Sequence, residues 1–183
     1  MNTNLSIIGV IGSGGKTYSE LSAPLGQWIA ENGFHLINGG GAGTMTAVAR
    51  TFTEVSNRKG LSLGVVPSDN FCDTPEKRNI YSNPFDYPNP YIEIPIKTHL
   101  PLSGDQGMET GSRNHIVVLT ANLIVALPGT SGTRSEIQLC LDYKKPLIIL
   151  DPDGCWTEFK NSSARFVQNV EEAAIEITKF FQY

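Results

Sequence analysis

The run NLIVALPGTSGTRSE, Asn122 to Glu136, carries the fold in miniature. Leu123 to Leu127 is a continuous apolar stretch of strand length without alternation, the pattern of a strand buried on both faces of a parallel sheet. Pro128-Gly129 ends it, and after Gly132-Thr133 a helical pattern begins, with Glu136 within its first turn. Strand, glycine-rich loop and helix in that order make the unit of an open α/β sheet, in which ligands sit beyond the carboxyl ends of the strands.

The same unit recurs along the chain. Apolar runs at LSIIGVIG, FHLIN, LSLGVV, YIEIPIK and PLIIL are rich in Val and Ile. Between them lie helical spacings: Leu21, Leu25, Trp28 and Ile29; Met45, Val48 and Phe52; and Val170, Ala174, Ile177 and Phe181. Pro24 suits a helix whose first turn begins near Ser22, and Gly33 reads as its stop. The expected fold class is therefore α/β: a single Rossmann-like domain over residues 1–183, doubly wound, with a mainly parallel sheet and helices on both faces. Asp69 to Pro90, with its NIYSNPFDYPNP, has no clear period and is expected to be an irregular excursion of that domain.

Three glycine-rich loops follow strand runs. They are Gly12-Ser13-Gly14-Gly15, Gly39-Gly40-Gly41-Ala42-Gly43-Thr44 and Pro128-Gly129-Thr130-Ser131-Gly132-Thr133. One such loop is accounted for by a tight turn using glycine for its φ freedom. Three at one edge of a sheet point to a shared crevice where backbone N–H groups at helix N-termini suit phosphate. The expected phosphate- or nucleotide-binding residues are Gly12, Ser13, Gly40, Gly41, Gly43, Thr44, Met45, Gly129, Thr130, Ser131, Gly132 and Thr133. GVIGSGGKT, Gly9 to Thr17, matches neither the P-loop nor the dinucleotide fingerprint, so Lys16 reads as a rim charge.

Glu136 has two readings, as an acid facing the crevice or as a first-turn acid that complements the helix dipole. Arg113 near the start of the preceding helix is by default a solvated residue. Glu109, one turn earlier, either pairs with it or is a solvated helix start. Tyr81, Phe85, Tyr87 and Tyr91 stack on a ligand base or a neighbouring subunit, or pack the excursion onto its own domain.

A net charge of −4 leaves no broad basic field of the kind nucleic acid or an acidic membrane requires. Cys72, Cys140 and Cys155 are odd in number and far apart, which argues against a disulfide framework. His35, His99 and His115 lack metal-ligand spacing, so no metal site is expected. MNTNLSIIGV lacks the basic start of a signal peptide and its apolar run is too short to span a membrane, so the expected location is cytoplasmic.

In order along the chain, Leu36-Ile37-Asn38-Gly39-Gly40-Gly41, Gly43-Thr44-Met45 with Ala47-Val48-Ala49, Gly64-Val65-Val66-Pro67, Arg113 and PGTSGTRSE resemble the LOG-like superfamily. That group takes in proteins long mislabelled lysine decarboxylases, phosphoribohydrolases that activate cytokinins, molybdenum-cofactor carrier proteins and DprA-related Rossmann proteins. The resemblance runs from Leu5 to Leu150. Its most specific parts are the P-G-G-x-G-T-x-x-E loop and an Arg fifteen residues before its Pro; here Arg113 precedes Pro128 by fifteen, and Glu136 follows it by eight.

The resemblance implies that Arg113 and Glu136 are catalytic and flank a ribose, while Gly129, Ser131, Gly132 and Thr133 hold a 5′-phosphate. The reaction so implied cleaves the N-glycosidic bond of a nucleoside 5′-monophosphate to base and ribose 5-phosphate. The alternative is a non-catalytic carrier or sensor of a phosphate-bearing ligand. Thr130 stands at the second glycine of the loop, and Arg113-Asn114-His115-Ile116-Val117 replaces the R-K-x-E-M run. With the short GGGAGTM spacing, these look closer to the DprA-related and cofactor-carrier branches. No cofactor is required on this reading, the ligand being a nucleotide or a molybdopterin-type molecule. The implied partners are that ligand and a second copy of the chain, in a homodimer or higher homo-oligomer, with no nucleic acid and no membrane.

Overall fold

The computed structural model describes residues 6–182. Met1 to Leu5, which include the start of the first expected strand run, and Tyr183 lie outside the described residues. One sheet holds seven strands: β1 (Ile7–Ile11), β2 (His35–Asn38), β3 (Ser62–Val66), β4 (Ile94–Lys97), β5 (Leu123–Ala126), β6 (Leu147–Leu150) and β7 (Arg165–Val167). Their order is β4-β3-β2-β1-β5-β6-β7, and every pairing is parallel. The helices are α1 (Ser19–Glu31), α2 (Thr44–Glu54), α3 (Pro75–Asn79), α4 (Asn114–Thr120), α5 (Ser131–Asp142) and α6 (Val170–Gln182). The Rossmann-like α/β fold is the one the strand and helix patterns define.

Each face of the sheet has its own core. On one, Ile8, Val10, Leu36, Leu123 and Val125 meet Leu25 and Ile29 of α1, Phe52 of α2 and Ile177 of α6. On the other, Ile11, Ile37, Val65, Ile124 and Ile149 meet Val117 and Val118 of α4, Ile137 and Cys140 of α5, and Trp156 and Phe159. The pleat sends successive side chains to opposite faces, and because both faces are covered the strands carry no polar alternation.

The topology fixes where a ligand can enter. β1 is flanked by β2 and β5. The helix after β1 packs on one face and the helix after β5 on the other. Their loops therefore part at the carboxyl edge of the sheet and leave a crevice at this switch point.

Some local expectations differ. α1 starts at Ser19, earlier than the expected Ser22, and so encloses Pro24. The Ser22 hydroxyl donates to the Thr17 carbonyl at 2.8 Å, which tightens the approach to the helix. Pro24 has no N–H to donate to the Glu20 carbonyl, and both residues are exposed, on the solvent side of the helix. The excursion contains the short α3, capped by the Thr74 hydroxyl accepting from Lys77 N–H. β7 was not expected: its three residues at the sheet edge form no apolar run.

Candidate functional site

The C-terminal edge of the sheet encloses a cavity of about 230 Å³ at the switch point. Val10 and Ile11 from β1 form its floor. Gly12 and Gly14, Gly39, Tyr87, Ser103 and Gly104 contribute from successive loops, Met45 from α2, and Arg113 and Asn114 from the start of α4. Thr130, Ser131, Gly132 and Thr133 at the start of α5 complete the lining with Glu136, which lies in the second turn and not in the expected first, because α5 already begins at Ser131.

The first turn of α5 has no side-chain cap, so its leading backbone N–H groups are left for another acceptor. With twelve residues, α5 also brings the positive end of a full-length helix dipole to the cavity. Thr130, its N-cap, has φ −123° and ψ −158°. This is ordinary extended backbone, so a threonine fits at the glycine position of the resembled loop without strain. Gly129 is more constrained: a Cβ there would collide with the Thr133 hydroxyl.

Arg113 is 4% exposed, and its Nε and Nη1 have no hydrogen-bond partner. Burying guanidinium donors unpaired is costly, on the order of 1–3 kcal/mol for each lost partner. What lies against the guanidinium is the ring of Tyr87, 5.5 Å from centroid to Cζ. Gly39 lies on it as well, where any Cβ would collide with the guanidinium. Glu109 does not pair with it; Glu109 is exposed, and its carbonyl accepts from Ser112 N–H at 2.8 Å.

Glu136 is half-buried in the cavity wall. Burial pushes its carboxyl up to about 7, and the charge of Arg113 opposes that rise. The two make no ion pair, so at neutral pH the cavity holds a fixed cation and a carboxyl close to its midpoint.

The expected site residues divide into two groups. Gly12, Met45, Thr130, Ser131, Gly132, Thr133, Arg113 and Glu136 come together in the lining. Ser13, Gly40, Gly41, Gly43, Thr44 and Gly129 are not on that surface and brace it from behind. The Ser13 hydroxyl accepts from Gly15 N–H at 3.2 Å and Lys16 N–H at 3.0 Å. Ser13 N–H donates to Pro128 O, tying the first loop to the third, and Thr44 N–H donates to Ser13 O, tying in the second. Gly43 holds φ +63° with no room for a Cβ against the Ser13 carbonyl. Lys16 is exposed on the rim.

Sequence reasoning did not single out Gly39, Ser103, Gly104 or Asn114, nor place Tyr87 in the site. Gly39 was legible as part of a glycine triplet, and Asn114 as the neighbour of Arg113. Nothing in the sequence marked Ser103, whose loop reaches the cavity because Gly104 O accepts from the Ser135 hydroxyl on α5 at 3.2 Å. Among the described residues no group of three or more His, Cys, Asp or Glu is placed to hold a metal. No helix among them is long and apolar enough to cross a membrane.

A doubly wound domain with a cavity between the β1 and β5 loops, lined by Arg113 and the N-terminal end of α5, is the class of protein that fold and site define. Residues 5–179 match the model of the SLOG cluster4 family, and the chain belongs to that family. An uncharacterized protein of Archaeoglobus fulgidus is 31% identical over 148 residues, covering 79% of this chain and 80% of that one. The molybdenum cofactor binding protein of Rippkaea orientalis superposes with a TM-score of 0.72 at 25% identity, over 100% of both chains. DNA processing protein A of Helicobacter pylori, a single-stranded DNA binder, shares the fold at 18% identity, with a TM-score of 0.65 over 96% of this chain and 81% of that one. The likenesses to cofactor-binding and DprA proteins fall in the two branches that the GGGAGTM and Arg-Asn features resemble.

Proposed function

We propose that the chain binds a small phosphate-bearing ligand, a molybdopterin-type cofactor or a nucleoside monophosphate, in the cavity between Arg113 and the first turn of α5. The observation that carries this reading is the buried guanidinium with unpartnered Nε and Nη1. A phosphate seated there accepts from Arg113 and from the free N–H groups of Ser131, Gly132 and Thr133, and meets the helix dipole with the right sign. The cavity exceeds the size of a phosphate alone, and Val10, Ile11, Met45 and Tyr87 give its remaining wall an apolar character suited to a flat ring. The likeness to the Rippkaea orientalis protein supports the carrier form of the reading.

Glu136 favours a second reading, phosphoribohydrolysis. Cleaving an N-glycosidic bond builds positive charge on the ribose ring, and an ionised carboxylate alongside stabilises it and orients the attacking water. Arg113 then positions substrate. A carboxyl close to its midpoint near neutrality is suited to take up the proton that the water gives up. The readings separate on incubating the protein with a panel of nucleoside 5′-monophosphates while following base release. A carrier binds AMP or a pterin phosphate and liberates no base. A hydrolase liberates base, and Glu136→Gln abolishes turnover with binding retained. Absence of any phosphate binding removes both.

Lys and Arg total 14 against 18 Asp and Glu, so single-stranded DNA is a weaker partner than a small anion. Salt-sensitive retention of single-stranded DNA would reverse that order. The homodimer or higher homo-oligomer and the cytoplasmic location rest on the resemblance and on the sequence.

A further inference from the structure

A buried arginine usually lies against a carboxylate, which neutralises it and consumes its donors. Arg113 instead lies against an aromatic ring. A π face attracts the cation across the flat of the guanidinium, leaving the in-plane N–H groups free. The ring belongs to the excursion between β3 and β4, a segment whose neighbours Phe71, Ile80 and Phe85 are exposed.

The second glycine loop holds that ring in place. Asn89, 5% exposed, donates its backbone N–H to Gly40 O at 2.8 Å and its side-chain amide to Gly41 O at 2.9 Å. A Cβ on Gly41 would come within 2.6 Å of the Tyr87 hydroxyl and 3.0 Å of Met45 Cε, so the missing side chain leaves the space the tyrosine fills. Gly39, two residues earlier, leaves space for the guanidinium. Three consecutive glycines therefore serve three neighbours: Gly39 the Arg113 guanidinium, Gly40 the Asn89 backbone and Gly41 the Tyr87 ring.

We infer that Tyr87 is a positioning residue for anion binding: its ring, seated on Gly41 and anchored through Asn89, holds the Arg113 guanidinium at the cavity wall without consuming its donors. This rests on the proposed phosphate site and adds the element that makes it competent. The excursion then governs the affinity of the site, because displacing it removes the ring from the arginine.

The test is equilibrium binding of inorganic phosphate and of AMP to wild type, Tyr87→Phe, Tyr87→Leu, Arg113→Met and the Tyr87→Leu/Arg113→Met pair, each checked by circular dichroism and thermal unfolding. A desolvated cation–π contact predicts that Tyr87→Leu weakens phosphate about tenfold. Tyr87→Phe, which keeps the ring, stays within about twofold of wild type on the same ground. In the Arg113→Met background the tyrosine change has no further effect on phosphate, since both act through one cation. The inference is overturned if Tyr87→Leu binds phosphate as wild type does, if Tyr87→Phe loses as much as Tyr87→Leu, or if the two changes add. Should Tyr87→Leu fail to fold, the comparison passes to Asn89→Ala, which releases the anchor and leaves the ring chemistry intact; affinity equal to wild type there overturns the inference. Wild type that binds neither probe overturns this inference and the proposed site together, whereas wild-type binding with an unaffected Tyr87→Leu removes this inference alone.

Discussion

At the scale of single residues, the cavity joins two costs that folding alone does not reward: an unpaired buried cation at Arg113 and a half-buried carboxyl at Glu136. The raised Glu136 makes stability depend on pH in a defined direction. Its folded value of about 7 lies above the ordinary glutamate value of 4.5, so the folded state binds the proton more tightly than the unfolded chain does. Its favourable contribution is complete below the unfolded value and is lost as pH rises through about 7. Thermal midpoints measured from pH 5 to pH 8 should fall for wild type, and Glu136→Gln should flatten that fall. At pH 8 the variant should melt a few degrees higher, since about 1 kcal/mol corresponds to about 2–4 °C in a domain of this size. Both residues were legible in the sequence through the fixed spacings of Arg113, Pro128 and Glu136. Their electrostatic state was not, because burial and the absence of a partner are properties of the packed site. Tyr87 was legible only as one of four aromatics in an aperiodic stretch; its placement depends on Asn89 reaching the second glycine loop across the fold.

At the scale of elements, runs of Val and Ile marked each strand buried on both faces, while β7, only three residues at the sheet edge, left no signal to find. Helix boundaries were less legible than helix existence, as the start of α1 shows: tertiary context placed Pro24 inside a helix that local propensity would start later. The glycines carried a reading that structure redistributes. Gly132 of the third loop and Gly12 adjoin the cavity, whereas Gly40, Gly41, Gly43 and Gly129 hold loops against one another. Gly26 shows the same economy in the core. In α1, a Cβ at that position would collide with the Val48 carbonyl of α2, so the two helices pack at glycine distance. Gly26→Ala should therefore destabilise the chain despite alanine's better helix propensity, by roughly 1–3 kcal/mol as for other overpacked sites. Urea unfolding measures this directly, and an unchanged or raised midpoint would mean that α1 and α2 separate freely.

At the scale of the whole molecule, the sheet order brings every loop from β1 to β5 to one edge, and the site exists only as their sum. The topology explains why no single fingerprint in the sequence defines it: GVIGSGGKT supplies one wall, and the anion-directed end of α5 lies more than a hundred residues further on. On the proposed function, Arg113 is kept buried and unpaired for a phosphate. The direct measurement is the thermal midpoint of wild type and Arg113→Met with and without inorganic phosphate, the general stabilising effect of the salt cancelling between the two proteins. Arg113→Met should be the more stable protein without phosphate, by a few degrees for about 1 kcal/mol of relieved desolvation, and phosphate should raise wild type more than the variant. A variant less stable than wild type without phosphate, or an equal rise in both proteins on adding it, would contradict the claim.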